Sequence, residues 1–529
     1  MFKRLLAVLL CFVTLFMFVG CNDDDEPTAF TSSEADEDND SEISVEPAIS
    51  TVPNVVGKTA EEAKKMLDDA KLLVIEGTCY SETVEAGVVV TQSDLPDTQI
   101  ESGSTVVILV SNGLSAIESA KIPMTDPLVA SRKEVKQGEN GDYEPINYEK
   151  VKGVWISQLD LTKVYYDKET GKQRSKEEFT SYIKTIMKNT KESGFNTVYV
   201  QTHPDCDTMF PSEYYPWSDY LFGAGNYGNT SSYDLLQIML DEAHAQGLSF
   251  QAWINPMRGM AVSEMETVNV AYKIRQWADD KENNNYLFEN NNKYYLNPAY
   301  EEVRQYIIDI AVEICRYYDV DGIHMDDYFY PSANSSFDKE EFAAQSQFSS
   351  LQDFRKNNVN LLVKGLYDAI KRENANLLFG ISPAGNIENN LNNLGADVVT
   401  WCTEPGYIDY ILPQIYFGFK HSTVPFDGLS NRWIELVTEE SVDLYLGLGM
   451  HKIGKNDQYA GSNDGARTEW MEESDILKRS FEFVKAAEEV VGFSVFSYEY
   501  MFDPLTGKRV SATKEETDNF LPVMQSLWS

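Results

Sequence analysis

The chain has 529 residues, which is enough for two or more domains with one large hydrophobic core. Its formal net charge of -40 argues against binding to the phosphate backbone of nucleic acids. The 6 Cys show no CxxC spacing and the 5 His are isolated from one another, so the sequence indicates neither a zinc site nor a disulfide framework. We therefore expect no metal and no cofactor.

The first 21 residues have the features of a secretory leader. Two basic residues precede an apolar run over residues 5–19, which is typical of a signal peptide rather than of a folded element. The run ends in a sequence that resembles the lipobox of bacterial lipoproteins, Phe18-Val19-Gly20-Cys21. This resemblance implies lipidation of Cys21 and an anchor at the extracytoplasmic face of the cell membrane. An uncleaved leader or plain secretion is the alternative.

Residues 22–50 are predicted to form a disordered tether. From residue 22 to residue 47 the chain is rich in Asp, Glu and Ser and contains no basic residue. Such a composition cannot bury enough apolar surface to fold, and repulsion between its charges extends the chain. We expect the tether to let the following domains work away from the membrane.

Residues 51–113 are predicted to form a small α+β module. Apolar side chains recur at helical spacing over residues 58–73. Thr59, followed three residues later by Glu62, predicts a capping box at the start of this helix. Two strand-like runs come after it, at residues 88–92 and 105–111.

This module resembles the PASTA domain over its whole length. The segments that carry the resemblance are Val52-Pro53-Asn54-Val55-Val56-Gly57, Ala60-Glu61-Glu62-Ala63, Gln92-Ser93-Asp94-Leu95-Pro96 and Gly103-Ser104-Thr105-Val106-Val107. The resemblance implies association with peptidoglycan, and a role as a plain spacer is the alternative. Residues 114–147, which include a turn-rich stretch, are interpreted as a linker.

Residues 148–529 alternate between strand-like and helical patterns, which is typical of a parallel sheet. Eight strands are predicted, at residues 153–157, 197–202, 249–255, 321–326, 377–382, 410–416, 443–450 and 492–498. Helices are predicted between most of them, at residues 176–193, 233–246, 300–318, 351–372, 431–439 and 473–489. This pattern favours an α/β fold of the (β/α)8 TIM barrel type. An open doubly wound sheet is the alternative, but no Gly-rich loop follows the first strand.

The fourth predicted strand ends in a dense group of titratable side chains. Because successive side chains of a strand point to opposite faces, His324, Asp326 and Tyr328 share one face. Ile323 and Met325 lie on the other face and should pack against the helices. We therefore expect Asp326 to point into the mouth of the barrel, where such folds keep their chemistry.

Most of the other strands also end in polar or aromatic residues, which predicts a rim of hydrogen-bonding groups at one end of the barrel. Large aromatic side chains along this rim would stack on the C–H faces of sugar rings, although each of them is also a candidate for the core. These aromatic residues are Trp155, Trp253, Trp401 and Tyr416.

Five segments of the large domain resemble the glycosyl hydrolase-like 10 family. They are Gly153-Val154-Trp155, Ala252-Trp253-Ile254-Asn255-Pro256, Asp321-Gly322-Ile323-His324-Met325-Asp326-Asp327-Tyr328, Gly380-Ile381-Ser382-Pro383 and Pro413-Gln414-Ile415-Tyr416. The resemblance implies a TIM-barrel catalytic domain in an envelope lipoprotein and hydrolysis of a cell-wall polysaccharide, with peptidoglycan glycan strands as the expected substrate. The fourth strand is also similar to the signature of family 18 chitinases, but of its carboxylates only Asp326 is kept.

Most glycosidases use two carboxyl groups, and we expect Asp326 to be one of them. The candidates for the second are Asp327, Glu404 and Glu499, in that order. In a substrate-assisted route, Asp326 would instead orient an attacking N-acetyl group. The residues predicted to bind substrate are His203, Trp253, Asn255, Arg258, His324, Tyr328, Gln414 and Tyr416.

Two other functions are alternatives to hydrolysis. A barrel without activity would serve as a lectin-like, glycan-binding wall lipoprotein. A metal-dependent deacetylase would need a paired set of His and Asp ligands, which the sequence does not show.

Overall fold

The computed structural model describes residues 48–79, 84–111, 126–135, 143–222, 227, 230–280, 285–326, 329–331, 333 and 336–528. Contacts divide the chain into two compact units, a small one with residues 48–79 and 86–111 and a large one that holds the described residues from 126 onward. The predicted signal peptide with Cys21, and most of the acidic tether, lie outside the described residues. None of the helices in these ranges is both long and apolar enough to cross a membrane.

The small unit is the predicted α+β module. Its elements are β1 (Ile49–Thr51), α1 (Ala60–Asp69), β2 (Leu73–Cys79), β3 (Val89–Gln92), β4 (Gln99–Glu101) and β5 (Thr105–Ser111). Strand β5 lies between β2, to which it is parallel, and β3, to which it is antiparallel. The capping box is confirmed, since Thr59 accepts from the backbone of Glu62 and the Glu62 carboxylate accepts from the backbone of Thr59.

The large unit is built around eight parallel strands that close into a barrel. In chain order these strands are β6 (Val151–Ile156), β9 (Thr197–His203), β10 (Ser249–Ile254), β14 (Gly322–Met325), β15 (Leu378–Ile381), β16 (Tyr410–Ile411), β17 (Asp443–Gly449) and β18 (Val490–Phe496). Two small antiparallel sheets extend its loops, β7 (Tyr166–Asp167) with β8 (Lys172–Gln173), and β11 (Arg258–Ala261) with β12 (Leu287–Asn290) and β13 (Lys293–Leu296). The predicted TIM barrel is therefore confirmed.

Helices precede and follow the barrel strands along the chain. They are α2 (Pro127–Ser131), α3 (Gln158–Tyr165), α4 (Lys176–Glu192), α5 (Leu235–Ala245), α6 (Lys273–Asp279), α7 (Glu301–Tyr317), α8 (Lys339–Ala343), α9 (Leu351–Glu373), α10 (Ile387–Asn389), α11 (Val398–Thr403), α12 (Phe426–Leu436), α13 (Glu469–Glu472), α14 (Ile476–Ala486) and α15 (Lys514–Gln525). The predicted helix over 431–439 begins earlier than expected, at Phe426.

The sixth barrel strand is much shorter than predicted. Regular pairing covers only Tyr410–Ile411, whereas the sequence predicted a strand over 410–416. Pro413 has no amide hydrogen to donate to a neighbouring strand, which limits the regular ladder. The chain nevertheless continues beside its neighbours, because Gln414 forms isolated bridges to Ala384 and Gly447.

The two faces of the fourth barrel strand differ as strand alternation predicts. Ile323 and Met325 are fully buried in the large core between strands and helices. His324 points instead into the barrel, where it lies among aromatic side chains such as Tyr199 and Tyr410. The interior of the barrel is thus filled below its mouth, and any open space must lie above His324.

Part of the stretch predicted to be a linker packs against the barrel. The Asp126 carboxylate accepts a hydrogen bond from the indole of Trp217 at 2.7 Å. Arg132 forms an ion pair with Glu313 at 2.8 Å, and the two side chains are only 4% and 2% exposed. Farther along, the buried Asp321 carboxylate accepts from the backbone of Ile146 at 2.5 Å. These contacts extend the barrel unit to positions before the predicted boundary at residue 148.

Candidate active site

The carboxyl ends of all eight barrel strands, with the loops that follow them, surround one cavity of about 210 Å³. Its walls are formed by Trp155, Ser157, Gln158, Leu159, Gln201, Trp253, Arg258, Asp326, Ser382, Gln414, Tyr416, His451 and Phe496. Chemistry in barrels of this type takes place at this end, because the loops can vary there without disturbing the core.

Asp326 lies on the wall of this cavity, directly after the fourth strand, and is 2% exposed. The side-chain amide of Asn255 donates to its Oδ2 at 2.7 Å. Asn255 in turn accepts from the Gln201 amide at 2.7 Å, and Gln201 accepts from the backbone of Gln158 at 3.0 Å. This relay fixes which way each amide points, so the Asp326 carboxylate is held in one orientation.

His324 lies beneath the cavity and does not line it. Its Nε2 accepts from the indole of Trp155 at 3.1 Å, which requires that this nitrogen carry no proton. Its Nδ1 therefore carries the hydrogen and donates to the Tyr410 hydroxyl at 3.0 Å. Burial lowers the pKa of His324 to about 3, so the ring is neutral at physiological pH. His324 was predicted to bind substrate directly, but it instead supports the floor of the cavity.

Aromatic side chains form much of the cavity wall. Trp253 and Tyr416 line it, as the sequence predicted. Trp155 also lines it and contacts Tyr416 edge-on, with ring centroids 6.4 Å apart. Trp401 is different, because it is fully buried in the outer core and donates to Asn360 at 2.7 Å. Its prediction as a sugar platform is wrong, since it lies on a helix outside the barrel.

Arg258 lines the cavity and is held by a carboxylate outside it. Its Nε lies 2.8 Å from Asp205 and also donates to the carbonyl of Pro204 at 3.1 Å. His203 was predicted to bind substrate, but it is 1% exposed and its Nδ1 contacts the carbonyl of Asp207 at 2.6 Å. It holds the loop after the second strand and is not on the cavity wall.

Gln414 and Tyr416 reach the cavity from the sixth strand, as predicted. Gln414 donates to the backbone carbonyl of Ser382 at 3.2 Å, which ties the fifth strand end to the sixth. Tyr416 packs edge-on against His451, with ring centroids 5.0 Å apart. Burial lowers the pKa of His451 to about 4, so this ring is neutral as well.

The three candidates for a second carboxyl group have different positions. Asp327 lies outside the described residues, as does Tyr328, which was predicted to bind substrate. Glu404 follows helix α11 and precedes β16, so it is exposed at the amino end of the barrel, opposite the cavity. Glu499 is half-buried just after the eighth strand, at the same end as Asp326.

Of the two described candidates, Glu499 is the one whose carboxyl group is partly shielded from solvent. Burial is the main cause that raises the pKa of its carboxyl group, and the negative charge of Asp160 adds to it. Asp160 is buried and accepts from the backbone of Glu499 at 2.7 Å and from the Ser497 hydroxyl at 2.7 Å. The last strand and the first helix are thereby joined beside the cavity.

Seven cavity residues were absent from the predicted site, and five of them are polar: Ser157, Gln158, Gln201, Ser382 and His451. Gln158 and Gln201 belong to the relay that orients Asp326, Ser382 follows the fifth strand, and His451 follows the seventh. Each stands at or just beyond a strand end, which is the signal that would have identified them. Among the described residues, no group of three or more His, Cys, Asp or Glu side chains is placed to hold a metal ion.

Comparison with known families agrees with this geometry. The model of the family described as Glycosyl hydrolase-like 10 matches residues 150–462. The chain belongs to this family. The PASTA domain model matches residues 50–112, so the small unit is a PASTA domain.

Two named relatives share the barrel. The chain is 34% identical over 305 residues to glycosyl hydrolase YngK of Bacillus subtilis, which covers 53% of this chain and 57% of YngK. It is 29% identical over 389 residues to glycosyl hydrolase DigH of Escherichia coli K12, which covers 68% of this chain and 86% of DigH. The chain thus spans little more than half the length of YngK.

The chain is also similar to solved structures, at low sequence identity. The glycoside hydrolase domain of PgaB (BpsB) from Bordetella bronchiseptica is 11% identical and has a TM-score of 0.44. The comparison covers 70% of this chain and 98% of that domain. At this TM-score the similarity carries no weight for function.

Proposed function

We propose that this protein is a glycoside hydrolase of bacterial wall polysaccharide and that Asp326 is a catalytic carboxylate. The observation that carries the proposal is the relay from Gln201 through Asn255 to Asp326 on the wall of the cavity. A carboxylate that is buried, oriented by an amide and surrounded by aromatic rings suits a sugar whose ring becomes positively charged in the transition state.

The walls suit a sugar as well. Trp253 and Tyr416 offer apolar faces on which the C–H groups of a pyranose ring can stack, and the amide of Gln414 offers hydrogen bonds to its hydroxyl or acetamido groups. The second carboxyl group comes from Asp327 or Glu499, and a raised pKa suits Glu499 to protonate a leaving group. In a substrate-assisted route, Gln414 and Tyr416 would position the acetamido group beside Asp326.

The wall is proposed as the site of action because of two N-terminal features. The lipobox-like sequence that ends at Cys21 supports a lipid anchor at the extracytoplasmic face of the membrane. The PASTA domain supports contact with peptidoglycan. Cys21→Ala should move the protein from the membrane fraction to the soluble fraction without changing its specific activity, and membrane retention of the variant would contradict the anchor.

The direct test is the release of reducing ends by the purified protein from peptidoglycan glycan strands, with and without stem peptides, and from starch as an unrelated glycan. Release from the wall strands alone would support the proposal. Release only from starch would overturn the substrate class. Saturable binding of the strands without any release would favour the lectin-like alternative, in which the same cavity binds glycan without cleaving it.

A further inference from the structure

A second cavity of about 390 Å³ adjoins the first, in the loop that follows the seventh barrel strand. One residue, His451, lines both cavities. The remaining walls of the second cavity come from Lys452, Lys455, Asn456, Asp457, Gln458 and Tyr459. Its volume falls within the usual range for ligand pockets of about 300–1,000 Å³, so it can take a further unit of a substrate that occupies the first.

The charge of this cavity is opposite to that of the chain. Lys452 is neutralised by Asp457, with their charged atoms 2.7 Å apart. Lys455 is exposed, and its ammonium group lies 5.4 Å from the centre of the Tyr500 ring. Burial is the main cause that lowers the pKa of His451, and the charges of Lys452 and then Lys455 add to it, while Lys455 also opposes the rise of the pKa of Glu499. The two lysines and one aspartate of these walls sum to one positive charge, in a chain with a net charge of -40.

The other walls of the cavity suit a sugar. Tyr459 is 79% exposed, the largest exposed fraction among the exposed large hydrophobic side chains of the described residues. A tyrosine that presents its ring to solvent beside a site is suited to stack on a pyranose. Asn456 and Gln458 are exposed and offer amide groups to ring substituents.

The cavity on the other side of the site differs in charge. It measures about 560 Å³, and its wall residue Asp205 is the ion-pair partner of Arg258, which lines the first cavity. Its charged wall residues are three carboxylates and two lysines, Asp205, Asp219, Glu264, Lys168 and Lys293. Because Arg258 pairs with Asp205, these charges balance, and this cavity offers an acidic sugar no net positive charge comparable to that of Lys455.

We propose that the cavity at 451–459 is a subsite for a sugar residue that carries a carboxylate, with Lys455 contacting the carboxylate and Tyr459 stacking on the ring. The inference rests on the proposed function, because the substrate chain must pass from Asp326 over His451 to reach Lys455. Such a subsite makes the enzyme selective for acidic glycan strands over neutral ones.

The experiment compares peptide-free peptidoglycan strands having free lactyl carboxylates with the same strands after conversion of those carboxylates to primary amides. We expect the wild-type protein to show a kcat/KM about fivefold higher on the free-acid strands, which is the upper range for an exposed ion pair. Lys455→Ala should abolish this preference, Lys455→Glu should reverse it, and Lys455→Arg should retain it. The matched control is Lys188→Ala, which removes an exposed lysine on helix α4, and it should keep the preference.

The preference should also fall at high salt, because exposed charges are screened. Equal rates on both strands for the wild-type protein, or an unchanged preference in Lys455→Glu, would overturn the subsite. If the wild-type protein cleaves neither strand, the proposed hydrolysis fails, but the dissociation constants of the two strands still decide the subsite. A tighter dissociation constant for the acidic strands that Lys455→Glu abolishes would support it, and equal constants would overturn it.

Discussion

The replacement of Asn255 by alanine tests whether the relay orients the catalytic carboxylate. Asn255 is fully buried and donates to Asp326 Oδ2 at 2.7 Å. A hydrogen bond to a charged group is worth about 1.5–3 kcal/mol, which corresponds to a roughly ten- to hundredfold lower kcat if the bond also holds in the transition state. The substitution also leaves the Gln201 amide without its acceptor, which should cost about 1–3 kcal/mol of stability.

The assay measures kcat and KM on wall glycan strands together with the free energy of unfolding. The matched control is Asn390→Ala, because Asn390 is equally buried but donates to the carbonyls of Ala384 and Asn386 and does not line the cavity. We expect both variants to lose similar stability, whereas only Asn255→Ala should lose kcat. A folded Asn255→Ala protein with kcat within about twofold of the wild type would refute the orienting role.

Three further outcomes are expected. Burial raises the pKa of Glu516 to about 7, so the ionised carboxylate destabilises the folded state increasingly as pH rises from about 4.5 through 7. In urea unfolding, Glu516→Gln should therefore be more stable than the wild type at pH 8, by up to about 3 kcal/mol, but not at pH 4. Arg132→Met leaves the buried Glu313 unpaired and should lower the free energy of unfolding by about 3–5 kcal/mol, and a loss below 1 kcal/mol would show that the pair is dispensable. If Glu499 is the general acid, Glu499→Gln should lower kcat by about a hundredfold or more and remove the basic limb of the pH–rate profile, while activity on an aryl glycoside with an activated leaving group should persist. A wild-type profile in Glu499→Gln would leave Asp327 as the candidate.

Much of the fold could be predicted because it depends on local patterns. The alternation of strands and helices predicted the barrel, and alternation within one strand placed Ile323 and Met325 outside and His324 inside. The end of the sixth strand was missed because its regular pairing stops before Pro413. The strand alternation and the end of the sixth strand both depend on residues that are close in sequence.

The site was less predictable because its contacts join distant parts of the chain. His324 was interpreted as a substrate ligand, but its partners Trp155 and Tyr410 are 169 and 86 residues away. The sequence ranked Glu404 ahead of Glu499, yet a short helix before β16 places Glu404 at the amino end of the barrel. Sequence patterns located most of the strand ends, but they could not show which side chains at those ends already form hydrogen bonds with other parts of the protein.

The central claim is that Asp326 acts in glycoside cleavage, and Asp326→Asn tests it most directly. The control is Asp207→Asn, because Asp207 is also a buried carboxyl group near the same end of the barrel. Burial raises the pKa of Asp207 to about 8, so the asparagine amide resembles the neutral form of this side chain. We predict that Asp326→Asn lowers the release of reducing ends from wall glycan strands by at least about a hundredfold while strand binding persists, and that Asp207→Asn retains activity. Equal release by Asp326→Asn and the wild-type protein would contradict the account.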